Sequence, residues 1–228
     1  MEPLSGKINQ SSGAPCRPKS MADRHFLQED TLAGIRTFVA IKLDAHLCDG
    51  LDTVMDNLRE HMPARSVRWS SAHKIHLTLK FLGDIGPSQI APMQEALREA
   101  AGQIAPFSFE LKGLGCFPHT GRPRVIWIGV NEPTRTLNTL QKAVENALHE
   151  LGFEREKRAF SPHLTLGRVR NEVRHEERRE IGQIVESTRL DTLCRQDVAS
   201  IHLFKSDLQP GGAVYTSLAE LPLGSSNK

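Results

Sequence analysis

The stretch HKIHLTLKFLGD, residues 73–84, contains a four-residue word that returns in SPHLTLGRV, residues 161–169. Side chains on a β-strand alternate between two faces. In HLTL, His76 and Thr78 therefore share one face while Leu77 and Leu79 share the other, and His163 and Thr165 repeat the arrangement. The leucines suit burial. Each word offers an imidazole and a hydroxyl side by side, a proton carrier next to a hydrogen-bond donor. With 10 His and 12 Thr in 228 residues, about half a His-x-Thr triplet arises by chance, so one copy means little. Two copies that agree at both leucines exceed that background.

The surrounding sequence repeats as well. RTFVAIKL from Arg36 is β-branched and aromatic, a strand. A helix follows with Leu47, Leu51, Val54, Met55, Leu58 and Met62 at helical spacing. After the first HLTL strand, Gly86-Pro87 opens a second helix marked by Ile90, Met93, Leu97 and Ala101, and FSFELKGLGCF (107–117) is a further strand with Phe107, Phe109 and Leu111 turned inward. The pattern restarts at Arg124. RVIWIGV is a strand, Leu137, Leu140, Val144, Leu148 and Leu151 line a helix, and the second HLTL strand comes next. A charged helix over 173–187 has Ile181, Ile184 and Val185 as its apolar side, DVASIHLF (197–204) is one strand and AVYTSLAEL (213–221) another. His76 lies 40 residues after Arg36 (76 − 36) and His163 lies 39 after Arg124 (163 − 124). The pattern reads as two pseudo-symmetric βαβαβ halves, about 34–120 and 121–223, forming one large domain or two small lobes, and halves placed about an approximate two-fold axis would set the two HLTL strands on a cleft between them. Such a cleft carries two imidazoles and two hydroxyls. A neutral imidazole can remove a proton while a protonated partner supplies one, since the ordinary pKa of about 6.5 gives both forms near neutrality.

Composition sets limits on the rest. With 39% hydrophobic and 25% charged residues, 228 residues form a sizeable core, and no apolar run approaches a membrane span. The net charge of +2 is too small to advertise a long nucleic-acid track and leaves room for a local basic site for one phosphate or a strand end. Cys16, Cys48, Cys116 and Cys194 are scattered, which reads as reduced thiols in a cytoplasmic protein rather than a disulfide framework or zinc site. Residues 1–33 are expected to form a disordered leader, with Met21 an alternative start, and 224–228 a frayed tail.

Paired H-x-T-x words in a chain of this size resemble the two-histidine (2H) phosphoesterase superfamily. The words RTFVAIKL, VRWSSAHKIHLTLKFLGDI, GLGCFPHTGRPRVIWIGV, FSPHLTLGRV and HLFKSDLQPGGAVYTSLAELPL narrow the likeness to the bacterial RNA 2′,3′-cyclic phosphodiesterases, long labelled 2′-5′ RNA ligases. The resemblance spans about residues 34–223. It implies a bilobal α+β 2H phosphoesterase fold with the active cleft between the two halves, and hydrolysis of a terminal RNA 2′,3′-cyclic phosphate to a 2′-phosphate, with His76 as the acid protonating the departing 3′ oxygen and His163 as the base activating water. The pseudo-symmetry leaves those two roles exchangeable from sequence. Thr78 and Thr165 would bind non-bridging phosphate oxygens, and Arg168, five positions after His163, would be the phosphate-side cation. No metal and no cofactor are implied. The partner is RNA with a cyclic phosphate end or a small cyclic nucleotide, no membrane is involved, and a monomer is expected.

Plainer readings stand beside these. Each histidine could be an ordinary strand histidine, Thr78 and Thr165 strand formers, and Arg168 a solvated strand-end charge. Phe81, Trp127 and Tyr215 are candidates for base stacking, with core packing preferred for Trp127. His73, His119 and His202 receive no role. Glu176 to Glu180 with Arg174, Arg178 and Arg179 reads as a solvated helix face, and Gly211-Gly212 as a hairpin turn rather than a phosphate loop. Two other functions stay open: ligation to a 2′-5′ linkage, and a non-catalytic nucleotide- or RNA-binding module.

Overall fold

The computed structural model describes residues 34–210 and 212–224. The leader expected over 1–33, the first glycine of the expected hairpin turn, Gly211, and the last four residues of the tail lie outside them. In chain order the elements are β1 (Ile35–Lys42), α1 (Ala45–His61), β2 (Val67–Trp69), β3 (His76–Ile85), α2 (Ile90–Gly102), β4 (Phe107–Phe117), β5 (Val125–Asn131), α3 (Thr136–Glu150), β6 (His163–Val169), α4 (His175–Ser187), β7 (Arg195–Val198), β8 (Ser200–Gln209) and β9 (Gly212–Pro222). No helix among the described residues is long and apolar enough to cross a membrane.

Local chemistry explains the helices. Asp44 caps α1 by accepting from the Leu47 N–H at 2.8 Å, and Leu47, Cys48, Leu51, Val54, Met55 and Leu58 form its buried stripe. At the start of α3, Glu132 accepts from the backbone N–H of Leu137 at 2.9 Å, filling a donor that the first turn leaves open, and from the N–H of Thr134, just before the helix, at 2.8 Å. Leu151 departs from expectation: it caps the end of α3 and is 38% exposed, because the helix has stopped before its side chain can return to the core.

The strands form two antiparallel sheets, one ordered β3-β1-β8-β9 and the other β2-β6-β5-β4-β7. The fold is α+β, as the sequence pattern indicates, yet sheet membership does not follow the sequence repeat. From the first half, β2 crosses to join β6 and β4 crosses to join β5 and β7, and from the second half β8 and β9 return to join β1. The expected strand 197–204 is accordingly two strands. Asp197 pairs with Ser108 in the second sheet, Ile201 pairs with Leu221 in the first, and Ala199 is where the chain changes sheets. Exchange of closing strands joins the halves around one continuous core, with Ile41, Leu77, Leu97, Leu111, Ile128, Leu148, Leu166 and Leu203 in a single cluster. A second, smaller cluster of Phe38, Ala40 and Phe204, with Tyr215 against it, lies apart from that core.

Candidate active site

Both HLTL words are strand starts, β3 and β6, and the two strands touch although they belong to different sheets. Leu77, Leu79, Leu164 and Leu166 are buried in the core. His76 and Thr78, and likewise His163 and Thr165, are half-buried on the opposite faces of their strands.

A shared irregularity follows each word. On β3, Ala40 pairs with Thr78 but Val39 pairs with Lys80, and on β6, Trp127 pairs with Thr165 but Ile126 pairs with Gly167. One extra residue, Leu79 in the first word and Leu166 in the second, is thus accommodated as a bulge, which reverses the in-out alternation beyond it. Strict alternation would bury the residue five positions after each histidine. The bulges bring it onto the histidine face instead. Arg168 is exposed there while its neighbours Gly167 and Val169 are buried. Phe81, 71% exposed, stands near Phe38 with ring centroids 6.2 Å apart.

The histidines are held alike. Nδ1 of His76 lies 3.1 Å from the Lys74 carbonyl and Nδ1 of His163 lies 2.7 Å from the Ser161 carbonyl, each two residues upstream. A carbonyl only accepts, so Nδ1 carries the proton in both rings and Nε2 is the nitrogen available for chemistry. Neither threonine hydroxyl has a hydrogen-bond partner among the described residues, which leaves both available to a ligand.

The two rings differ in their surroundings. His76 stacks on Phe38 at 4.5 Å and meets the edge of Tyr215 at 5.0 Å, with Phe204 at 6.3 Å. Burial in this cage pushes its pKa down to about 4, against the opposing pull of the Lys74 carbonyl. His163 is edge-on to Phe117 at 4.9 Å and tilted to Trp127 at 6.3 Å. Because His76 is neutral in the fold where the unfolded chain would hold a proton, its contribution to stability is complete above about pH 6.5 and is lost as pH falls towards about 4. The loss amounts to about 3 kcal/mol at most. Urea unfolding at pH 7 and pH 4.5 is expected to show the parent losing about 2 kcal/mol more than His76→Gln over that interval, and equal losses would contradict the cage.

Sequence reasoning missed the cage, because Phe38, Phe204 and Tyr215 come from three strands paired over long range. It also missed Lys80. The first bulge turns this residue to the core side, where Nζ donates to Glu145 Oε2 at 2.8 Å and to the Glu154 carbonyl at 2.7 Å. Glu145 in turn accepts from the Glu156 N–H at 3.3 Å. The pair pins the segment that leads into His163 against the strand that carries His76. His202, given no role, sits across β1 from Thr78 by way of Ala40, stacked on Phe204 at 5.4 Å with its ring nitrogens near Ser200 and Ser217. His73 and His119 are exposed. Among the described residues no three or more His, Cys, Asp or Glu side chains are grouped to hold a metal ion.

The sequence profile of the 2′-5′ RNA ligase superfamily matches residues 41–209, and the chain belongs to this superfamily. It is 34% identical over 184 residues to an RNA 2′,3′-cyclic phosphodiesterase of Archaeoglobus fulgidus, covering 81% of this chain and 98% of the relative. It is 29% identical to a protein of the same name from Methanothermobacter thermautotrophicus, covering 81% and 96%. Among solved structures, the TT0787 protein of Thermus thermophilus superposes with a TM-score of 0.71 at 25% identity, covering 85% of this chain and 100% of that one. Escherichia coli LigT in its apo form gives 0.64 at 25% identity, covering 85% and 99%.

Proposed function

We propose that the chain hydrolyses RNA 2′,3′-cyclic phosphate ends to 2′-phosphomonoesters without a metal ion, within one bilobal domain over residues 34–223 of a cytoplasmic monomer. The observation that carries this reading is the twin placement of His76 and His163, each tied through Nδ1 to a carbonyl and each beside an uncommitted threonine hydroxyl. Relatives named RNA 2′,3′-cyclic phosphodiesterase support it.

In this reading His163 Nε2 takes a proton from water as the oxygen attacks phosphorus, in line with the bond to the 3′ oxygen. That bond breaks, and His76 Nε2–H protonates the departing oxygen, leaving the phosphate on the 2′ position. A cyclic phosphate brings a negative charge against Nε2 of His76, which favours the imidazolium, so His76 takes up its proton as substrate binds. Thr78, Thr165 and Arg168 supply donors to the non-bridging oxygens as charge builds there. Phe81, on the same face, offers a ring for a base.

Hydrolysis of an RNA oligonucleotide with a cyclic end is expected to proceed in EDTA and to yield the 2′-phosphate. Formation of the 3′-phosphate, or loss of activity on chelation, would contradict the reading. The acid role has its own test. His76→Gln is expected to lose about 10²-fold or more on a ribose leaving group. On an acyclic diester with a nitrophenolate leaving group, which departs without a proton, the loss should be below about tenfold. An equal loss on both substrates places the acid elsewhere.

A further inference from the structure

The edge strand β2 sets Arg68 directly across from Arg168. Opposed residues of an antiparallel pair point to the same face, with Cβ atoms about 5 Å apart, and like charges in that position destabilise a sheet. Both arginines are exposed, and among the described residues neither forms an ion pair. The sheet is built to hold them together nevertheless. Val67 and Val169 are the buried partners on one side of the pair, and Gly167 admits β2 at close range on the other, since a Cβ there would lie 2.7 Å from Val67 Cγ1.

The row to which the arginines belong runs Phe117, Val125, Arg168, Arg68 across four strands. Its Phe117 ring lies 4.9 Å from the ring of His163, so the row borders the imidazole, and Arg68 stands one strand spacing of about 4.8 Å outside Arg168. A cyclic phosphate carries one negative charge, and Arg168 and the His76 imidazolium already bring two positive charges to it. A second guanidinium outside them calls for a second anion.

We infer that Arg68, alongside Arg168, binds the phosphodiester on the 5′ side of the terminal nucleotide, so that the site is fitted to an RNA chain rather than to a mononucleotide. The inference rests on the functional reading above and specifies its substrate. Arg68 donates its N–H groups to that phosphodiester while Arg168 stays on the cyclic phosphate, and the two guanidiniums are relieved of their mutual repulsion when both anions are in place. Arg68 has no part in the proton transfers, so its loss is confined to substrates that carry the second phosphate.

The test compares adenosine 2′,3′-cyclic phosphate with the dinucleotide ApA ending in a 2′,3′-cyclic phosphate. The parent is expected to show about tenfold higher kcat/KM on the dinucleotide. Arg68→Gln should raise the dinucleotide KM about tenfold while kcat and both mononucleotide constants stay within about twofold, the mononucleotide rate also certifying the fold. The slope of log kcat/KM against log salt on the dinucleotide should become shallower by about 0.7, one phosphate contact on a single strand. Equal losses on both substrates, or an unchanged dinucleotide KM in a parent that turns over both, overturn the subsite alone. Failure of the parent to hydrolyse either overturns the functional reading and the subsite with it.

Discussion

His163→Ala is expected to lower kcat on a cyclic phosphate end by about 10²- to 10⁴-fold, the range for losing one general base or acid, while the thermal midpoint stays near that of the parent. The reason is the half-buried position of His163 on the site face: the ring sits edge-on to Phe117 and fills no part of the main core. His76→Gln is expected to lose a comparable factor on the same substrate, with some cost in stability because His76 is packed against Phe38 and Tyr215. Steady-state kinetics at saturating substrate, with near-UV circular dichroism on each variant, measure both. A parent-like rate in either would remove that histidine from the chemistry.

Lys80→Met is expected to be the most destabilising single change outside the hydrophobic core. The Lys80 and Glu145 side chains are 4% and 10% exposed, and removing one member of a buried ion pair strands the other at a cost of about 3–5 kcal/mol. For a domain of this size that lowers the melting temperature by roughly 10 °C. The double change Lys80→Met/Glu145→Leu removes both charges and is expected to recover most of the loss. Additive destabilisation in that double variant would contradict the pairing. Chemical denaturation of Lys80→Met, Glu145→Leu and the double variant decides it, and because the pair also holds Glu154 and Glu156, the segment before His163 should gain amide exchange in Lys80→Met.

Local patterns were readable in the sequence. Period-2 alternation put Leu77, Leu79, Leu164 and Leu166 in the core, and helical spacing located α1, α2, α3 and α4. Alternation also placed each histidine and its threonine on one face. What alternation could not supply was everything that depends on pairing between distant strands. The bulges at Leu79 and Leu166 have no marker in the words themselves, yet they decide that Arg168 and Phe81 face the site and that Lys80 faces the core. Strict period-2 reading assigns all three to the wrong side. The exchange of β4 and of β8 with β9 between sheets is likewise a matter of long-range hydrogen bonding, and Ala199, where one expected strand becomes two, is an ordinary residue in an apolar run. The aromatic cage around His76 follows from that exchange, since Phe204 and Tyr215 reach β1 only because β8 and β9 return to the first sheet. Arg68 was hidden for the same reason: nothing in the short strand β2 announces a partner as distant in sequence as Arg168.

The central claim is that the two repeated words act on one phosphoryl group. It is tested most directly by a double-variant cycle: kcat on an RNA with a 2′,3′-cyclic phosphate end, measured for the parent, His76→Gln, His163→Ala and the two combined. Residues that act in a single step are strongly non-additive, so the combined variant is predicted to be no more than about tenfold slower than the slower single variant. A combined loss equal to the product of the two single losses would mean that the histidines work independently, and that outcome would contradict the shared site.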